Sequence, residues 1–320
     1  MHTLSKKLLI ILGIVTALFG CVQTDEKQKI QKVAMLTEGP IEGQDWEEKG
    51  YKGLLRIKDK FDVDLVVEEN IHTEEQIIET VDELAEQGVN LIFGHGSIYG
   101  KTFTDISSTY ADIQFVYFNG GYYADNVTSL TFNSHAMGFF GGMVASQMTE
   151  TNEVGIIAAY EWQPEIEGFF EGAKYQDSKT HVQVKYINNW DDQEVVFNLY
   201  ETMKDGGVDI FYPAGDSFSR DIIERAHEDQ LSVIGYVADQ SNISPETVLT
   251  STVQNVEKLY EVIATKYNDD ELPGRVLSFD FEDDLIYLGT FSPDVPEDFQ
   301  ELLQQEVEQY KETGLLPNQR

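Results

Sequence analysis

QGVNLIFGHGS, residues 87–97, returns further along the chain as GGVDIFYPAGD, residues 206–216. Each stretch reads as a helix end, a Gly-Val pair, Asn or Asp, an apolar strand and a glycine-containing turn. Gly88 and Gly207 lie 119 residues apart. A second pair keeps nearly the same offset. VAML begins at Val33 and precedes GYKG at 50–53, and VGII begins at Val154 and precedes GFFEG at 168–172. An offset of this length is too long for a solenoid, whose period is about 20–50 residues. It points to two similarly built lobes in series.

Working outward, strand-like and helix-like patterns alternate. Residues 32–37, 63–67, 90–94 and 113–118 read as strands, and 46–61, 73–87 and 102–110 as helices. Short connections between alternating elements predict a parallel sheet covered by helices on both faces, an α/β fold. Ligands of such sheets sit outside the carboxyl ends of the strands. All three tryptophans fall there: Trp46 after the strand at Val33, Trp162 after the strand at Val154, and Trp190 after the strand at 182–187. Large aromatics in polar loops either anchor a loop on its own lobe or stack on a planar ligand.

The amino terminus sets the compartment. Lys6 and Lys7 precede LLIILGIVTALFG, and Cys21, the single cysteine, follows. The run is shorter than the roughly 20 apolar residues of a spanning helix and has the layout of a secretory signal over residues 1–20. Its L-x-G-C end resembles the lipobox of bacterial lipoproteins, which makes Cys21 the lipidated residue and 21–30 a polar tether. The other readings are a plain signal peptide and an amino-terminal anchor helix. A lipid-anchored protein on the extracytoplasmic face of the cell membrane is expected.

Beyond residue 20 the chain holds 57 acidic and 20 basic residues, a net of −37. The acid is spread along helices, with 41% hydrophobic residues overall, so the chain reads as globular with a solvated acidic surface. Nucleic-acid binding needs clustered Lys and Arg and is not expected. With one cysteine and scattered histidines, neither a disulfide within the chain nor a metal site is expected. G-x-S-x-G, Walker, G-x-G-x-x-G and H-E-x-x-H motifs are missing. Acidic pairs such as Asp283-Asp284 follow from composition and carry no glycosidase signal. The chain is expected to be no enzyme, to need no cofactor, and to capture a small molecule in a cleft between its lobes.

An ordered set of segments then resembles a known family. GYKGL, QGVNLIFGHG, NVTSLTF, MGFFGGMVASQMTETNEVGII, GFFEGAKY, GVDIFYPAGD, VIGYVADQS, TVLTSTVQNVEKLYEVI and GTFSP are similar to the basic-membrane-protein lipoproteins, the purine-nucleoside-receptor type of substrate-binding protein of ABC importers. The likeness runs from Val33 to about Pro317. WQPEIEGF, YPAGD and VLTSTVQNV look most like its Med subgroup, known for positive regulation of competence. The resemblance implies a two-lobed type I periplasmic-binding-protein fold with three crossings. The first lobe would be 31–133 plus 250–275, and the second 134–249 plus 276–320. Implied partners are a nucleoside-like small molecule and either an ABC permease or a signalling protein.

The family's binding residues carry over in part. Its aromatic platform for the base falls on Trp46, followed by Glu47 where Asn is usual. Asn119 stands after the fourth strand where Asp is frequent. The A-G-x-G turn appears as Ala214-Gly215-Asp216-Ser217. Val237 replaces the Asp that holds ribose hydroxyls, while Asp239 and Gln240 remain, and Gln254 replaces a Lys. Two charge-assisted contacts, each worth about 1.5–3 kcal/mol, are thereby lost. His95, Asp216 and Gln254 are candidate substitutes. Trp162 is a second candidate for stacking, and Gly94 and Gly215 for close backbone approach.

Overall fold

The computed structural model describes residues 29–190 and 192–320. The expected signal segment, Cys21 and most of the tether lie outside the described residues. The chain forms two six-stranded sheets. The first is ordered β11-β5-β4-β3-β1-β2 and the second β12-β10-β9-β8-β6-β7. The strands are β1 (Lys32–Leu36), β2 (Asp64–Glu68), β3 (Leu91–Gly94), β4 (Gln114–Phe118), β5 (Val127–Phe132), β6 (Glu153–Ala158), β7 (His181–Tyr186), β8 (Ile210–Ala214), β9 (Ser232–Val237), β10 (Val248–Gln254), β11 (Val276–Phe279) and β12 (Ile286–Leu288). Adding five to each of β1–β5 turns the first order into the second, so the 119–121 residue echo is a repeated topology. All described pairings are parallel except β10–β12.

Each sheet buries both faces, which is why its strands read as apolar runs without alternation. In the first lobe α1 (Asp45–Phe61) and α8 (Val256–Asn268) cover one face with Leu54, Ile57, Leu259 and Tyr260. There α2 (Glu74–Glu86) and α3 (Tyr99–Ile106) cover the other. In the second lobe α4 (Ser134–Met148), α5 (Pro164–Gln176) and α9 (Glu297–Thr313) lie on one side, and α6 (Gln193–Asp205) and α7 (Asp216–Glu228) on the other.

Helices α4 and α5 meet through glycines spaced four apart, one face of a helix. A Cβ at Gly142 would stand 2.0 Å from the Phe169 carbonyl oxygen, and one at Gly172 would stand 1.8 Å from that of Phe139. Backbone contact of this kind accepts no side chain. MGFFGG is therefore core.

The crossings fall at Asn133, Asn255 and Asp280. This differs from the segment boundaries expected above. Val248–Gln254 pairs with β9 in the second sheet, and Val276–Phe279 pairs with β5 in the first. The first lobe is thus completed by α8 and β11, and the second keeps β10. The reason is the repeat: β10 is the counterpart of β5, the last strand each lobe forms before the chain first crosses out of it. Asn133 and Asn255 adopt matching conformations, φ −76°, ψ 66° and φ −85°, ψ 67°. Asn133 Nδ2 donates to the Asp280 carboxylate at 2.7 Å, tying two crossings together.

Candidate functional site

The carboxyl ends of both sheets face one cleft, and α1 lies across it. Its first turn carries Asp45, Glu47 and Glu48, which suits the positive end of a helix. Two direct bridges from this helix join the lobes. The Trp46 main-chain N–H donates to Asp216 Oδ2 at 2.9 Å. Lys49 Nζ donates to the carbonyls of Val237 and Gln254. Asp216 opens α7, directly after the Gly215 turn, so one helix start from each lobe meets at this point.

Burial pushes the Asp216 carboxyl up to about 6, against the Trp46 N–H and the Lys49 charge, which favour its anion. Burial lowers Lys49 to about 8, with Asp216 and Asp45 opposing that fall. Val237, the residue that accepts from Lys49, has φ 62°. A β-branched residue in that region is an outlier and stores strain of order 1–3 kcal/mol. Asn119, its counterpart in the first lobe, has φ 59°, a conformation asparagine tolerates. The same turn is built twice, and only one copy has the residue type that fits it.

Beneath the bridges sits an aromatic block. Trp46 stacks on His95 at 4.7 Å between ring centroids and meets Phe118 edge-on at 5.4 Å. His95 Nε2 lies 2.8 Å from the Trp46 carbonyl, and His95 Nδ1 lies 2.8 Å from the Tyr260 hydroxyl. A carbonyl only accepts, so Nε2 carries the proton and Nδ1 accepts from Tyr260. Burial lowers His95 to about 4, which leaves it neutral. His95 is therefore a satisfied support for Trp46, with both ring nitrogens engaged by protein.

Beside the bridges lies a cavity of about 310 Å³, at the small end of ligand pockets. Asp45, Lys49, Lys52 and Arg56 line it from the first lobe; Asp239, Gln254 and Tyr287 line it from the second. Sequence reasoning missed the three cations. Their spacing, 49, 52 and 56, marks one helix face in a chain with only 22 basic residues. That pattern was available to be seen.

The expected residues separate into groups. Trp46, Asp216, Asp239 and Gln254 converge on the cleft. Burial pushes the Asp239 carboxyl up, but donors from Thr290 and Ser241 outweigh it and hold the group below its ordinary value. The Gln254 side chain donates to Ser134, and Gln240 is consumed within the second lobe by Tyr236, Ser251 and Ser219. Glu47 is buried on α1, and Asn119 is exposed at the end of β4. Gly94 and Gly215 do not make room for a ligand: a Cβ would strike the ring of Tyr99 at 2.4 Å and that of Phe218 at 2.1 Å. Trp162 does not line the cleft cavity. It is 64% exposed and stacks on Tyr160, with Trp190 edge-on at 6.1 Å, on the outer lip of the second lobe.

Residues 30–320 match the model of the family described as ABC transporter substrate-binding protein PnrA-like. The chain belongs to this family. It is 45% identical to the transcriptional activator protein Med of Bacillus subtilis (strain 168) over 311 residues, 97% of this chain and 98% of that protein. It is 26% identical to basic membrane protein A of Borreliella afzelii over 252 residues, 74% of this chain and 75% of that one. Among solved structures, a transcriptional activator of the comK gene from Bacillus halodurans superposes with a TM-score of 0.84 at 41% identity, over 89% of this chain and 99% of that chain. An ABC transporter solute-binding protein from Conexibacter woesei superposes with a TM-score of 0.75 at 18% identity, over 90% and 99% of the two chains. The second likeness shows the fold. The PnrA-like family is one of solute-binding proteins, which matches a cleft with donors and acceptors from both lobes.

Proposed function

We propose that this chain is an extracytoplasmic solute-binding lipoprotein, lipidated at Cys21, whose interlobe cleft takes a nucleoside-like small molecule. The observation that carries this reading is the meeting of Trp46, Lys49 and Asp216 across the cleft, beside a cavity lined from both lobes. A ligand would enter by exchange: its polar groups replace the contacts that Lys49 and Asp216 now make with main chain, and its ring lies along the indole of Trp46. Lobes that rock about the crossings at Asn133, Asn255 and Asp280 would admit it and close again. Binding is the activity that a cleft lined by donors and acceptors from both lobes supports.

A second reading concerns the output. The relatives that share 41–45% identity are named as activators. This favours a membrane-tethered sensor that acts on a signalling partner rather than one that delivers cargo to an ABC permease. The net charge of −37 beyond residue 20 makes direct contact with DNA a poor means for it. A thermal-shift panel of nucleosides, bases and related metabolites on the soluble domain tests the binding claim. A micromolar ligand at hundredfold excess over Kd stabilises by about 2.7 kcal/mol. A panel with no shift removes the solute-binding claim and leaves the sensor reading to stand on protein contacts.

A further inference from the structure

We propose that the outer edge of the second lobe docks an extended, basic segment of a partner protein, which adds a strand to β7 and seats apolar side chains in the groove beside it. Three observations converge on this edge. First, β7 pairs only with β6 among the described residues, so its other side offers unpaired main-chain groups. Second, a groove of about 570 Å³ runs between that edge and α5, lined by Trp162, Pro164, Ile166, Phe170, Val184 and Tyr186. Phe170 and Tyr186 are 41% and 37% exposed, and Trp162 is held ready by Tyr160. Third, Glu161 and Glu167 stand on the same groove, exposed and without an ion pair among the described residues. Burial and the Glu161 charge both raise the Tyr186 hydroxyl.

The first lobe supplies an internal comparison. There the corresponding loop, residues 37–44 after β1, is tied to the end of the edge strand β2, where the Thr37 main-chain N–H donates to the Glu68 carbonyl at 3.0 Å. Ile41 packs partly buried on the core, and its main-chain N–H donates to Glu69 at 2.6 Å. In the second lobe the corresponding loop, 159–163, is shorter and leaves Trp162 outside. The apolar surface is therefore a feature of one lobe and not of the repeated fold. Apolar walls with a carboxylate rim and a free strand edge fit a segment that alternates apolar residues with Lys or Arg. Main-chain pairing supplies affinity, and the groove reads alternate side chains.

The probe is a short fluorescein-labelled peptide alternating valine and lysine, titrated by anisotropy against the soluble domain, with a valine–glutamate peptide as control. The expected result is saturable binding of the basic peptide. Added salt weakens it, and Trp162→Ser and Glu161→Lys each weaken it by about tenfold or more, while both variants keep the wild-type melting temperature. Equal binding of the acidic peptide, or binding unaffected by both variants, overturns the proposal. So does sedimentation showing a dimer that Trp162→Ser dissolves, which would make a second copy the occupant. Flotation with phosphatidylglycerol vesicles that is lost on Trp162→Ser would make it a lipid surface. Occupation of the cleft leaves these outcomes unchanged, so the docking claim stands apart from the solute-binding claim.

Discussion

The main-chain N–H of Trp46 donates to the carboxylate of Asp216 at 2.9 Å, across the boundary between two lobes and 170 positions along the chain. A single bond thus joins the first turn of α1 to the first turn of α7. Its acceptor is titratable, which makes the junction measurable.

Asp216→Asn should change how stability depends on pH. Burial raises the carboxyl to about 6, above the unfolded value of about 3.9. A raised acid contributes stability that is fully present below the unfolded value and is lost as pH rises through the folded one. Urea titrations from pH 4 to 7 should show wild type losing about 2 kcal/mol relative to the Asn variant. Parallel curves would show that Asp216 is solvated.

Lys49→Met should loosen the lobes. The carbonyls of Val237 and Gln254 lose their shared donor. Small-angle scattering should show a larger radius of gyration than wild type at neutral pH. Lys49 is lowered to about 8, so between pH 8 and about 10.4 the unfolded chain binds its proton more strongly. Wild type should therefore gain stability relative to Lys49→Met as pH rises through that window.

Gly172→Ala should destabilise the second lobe by about 1–3 kcal/mol, because its Cβ meets the Phe139 carbonyl at 1.8 Å. Gly121→Ala, with nothing within 4 Å of its Cβ, should stay within about 0.5 kcal/mol of wild type. Denaturant midpoints separate the two.

Val237→Asp restores, at the last residue of β9, the carboxylate that the family resemblance implies there, and aspartate tolerates the φ of 62° better than valine. One charge-assisted contact is worth about 1.5–3 kcal/mol. Affinity for ribonucleosides should rise about tenfold or more, with little change for free bases. Equal gains for both would place the sugar elsewhere.

Much of this was legible in the sequence. Gly88 and Gly207 exposed the repeat because a helix that ends in Gly-Val before a buried strand leaves a fixed local signature. The alternation gave the sheets for the same reason. The crossings were read less well. Sequence patterns mark where a strand ends but not which sheet it joins: β10 pairs with its near neighbour β9 and β11 with the distant β5, so both changed sides. In the cleft, Trp46 and Asp216 were identified by position, yet their partners were not. Lys49 was hidden because a lysine on an amphipathic helix looks like solvent-facing charge until the opposite lobe is in place. Trp162 lines the outer groove and not the cleft cavity, because the end of a strand gives two exits, one into the cleft and one to the outer edge.

The central claim is that the cleft binds a small nucleoside-like solute by exchange with the Lys49 and Asp216 contacts. Isothermal titration of the soluble domain with adenosine, guanosine, inosine and uridine tests it most directly, with Asp216→Asn measured in parallel. The account predicts one site of micromolar affinity for at least one of them, and binding about tenfold weaker in the Asn variant. No heat from any of the four, or identical affinity in the variant, would contradict it.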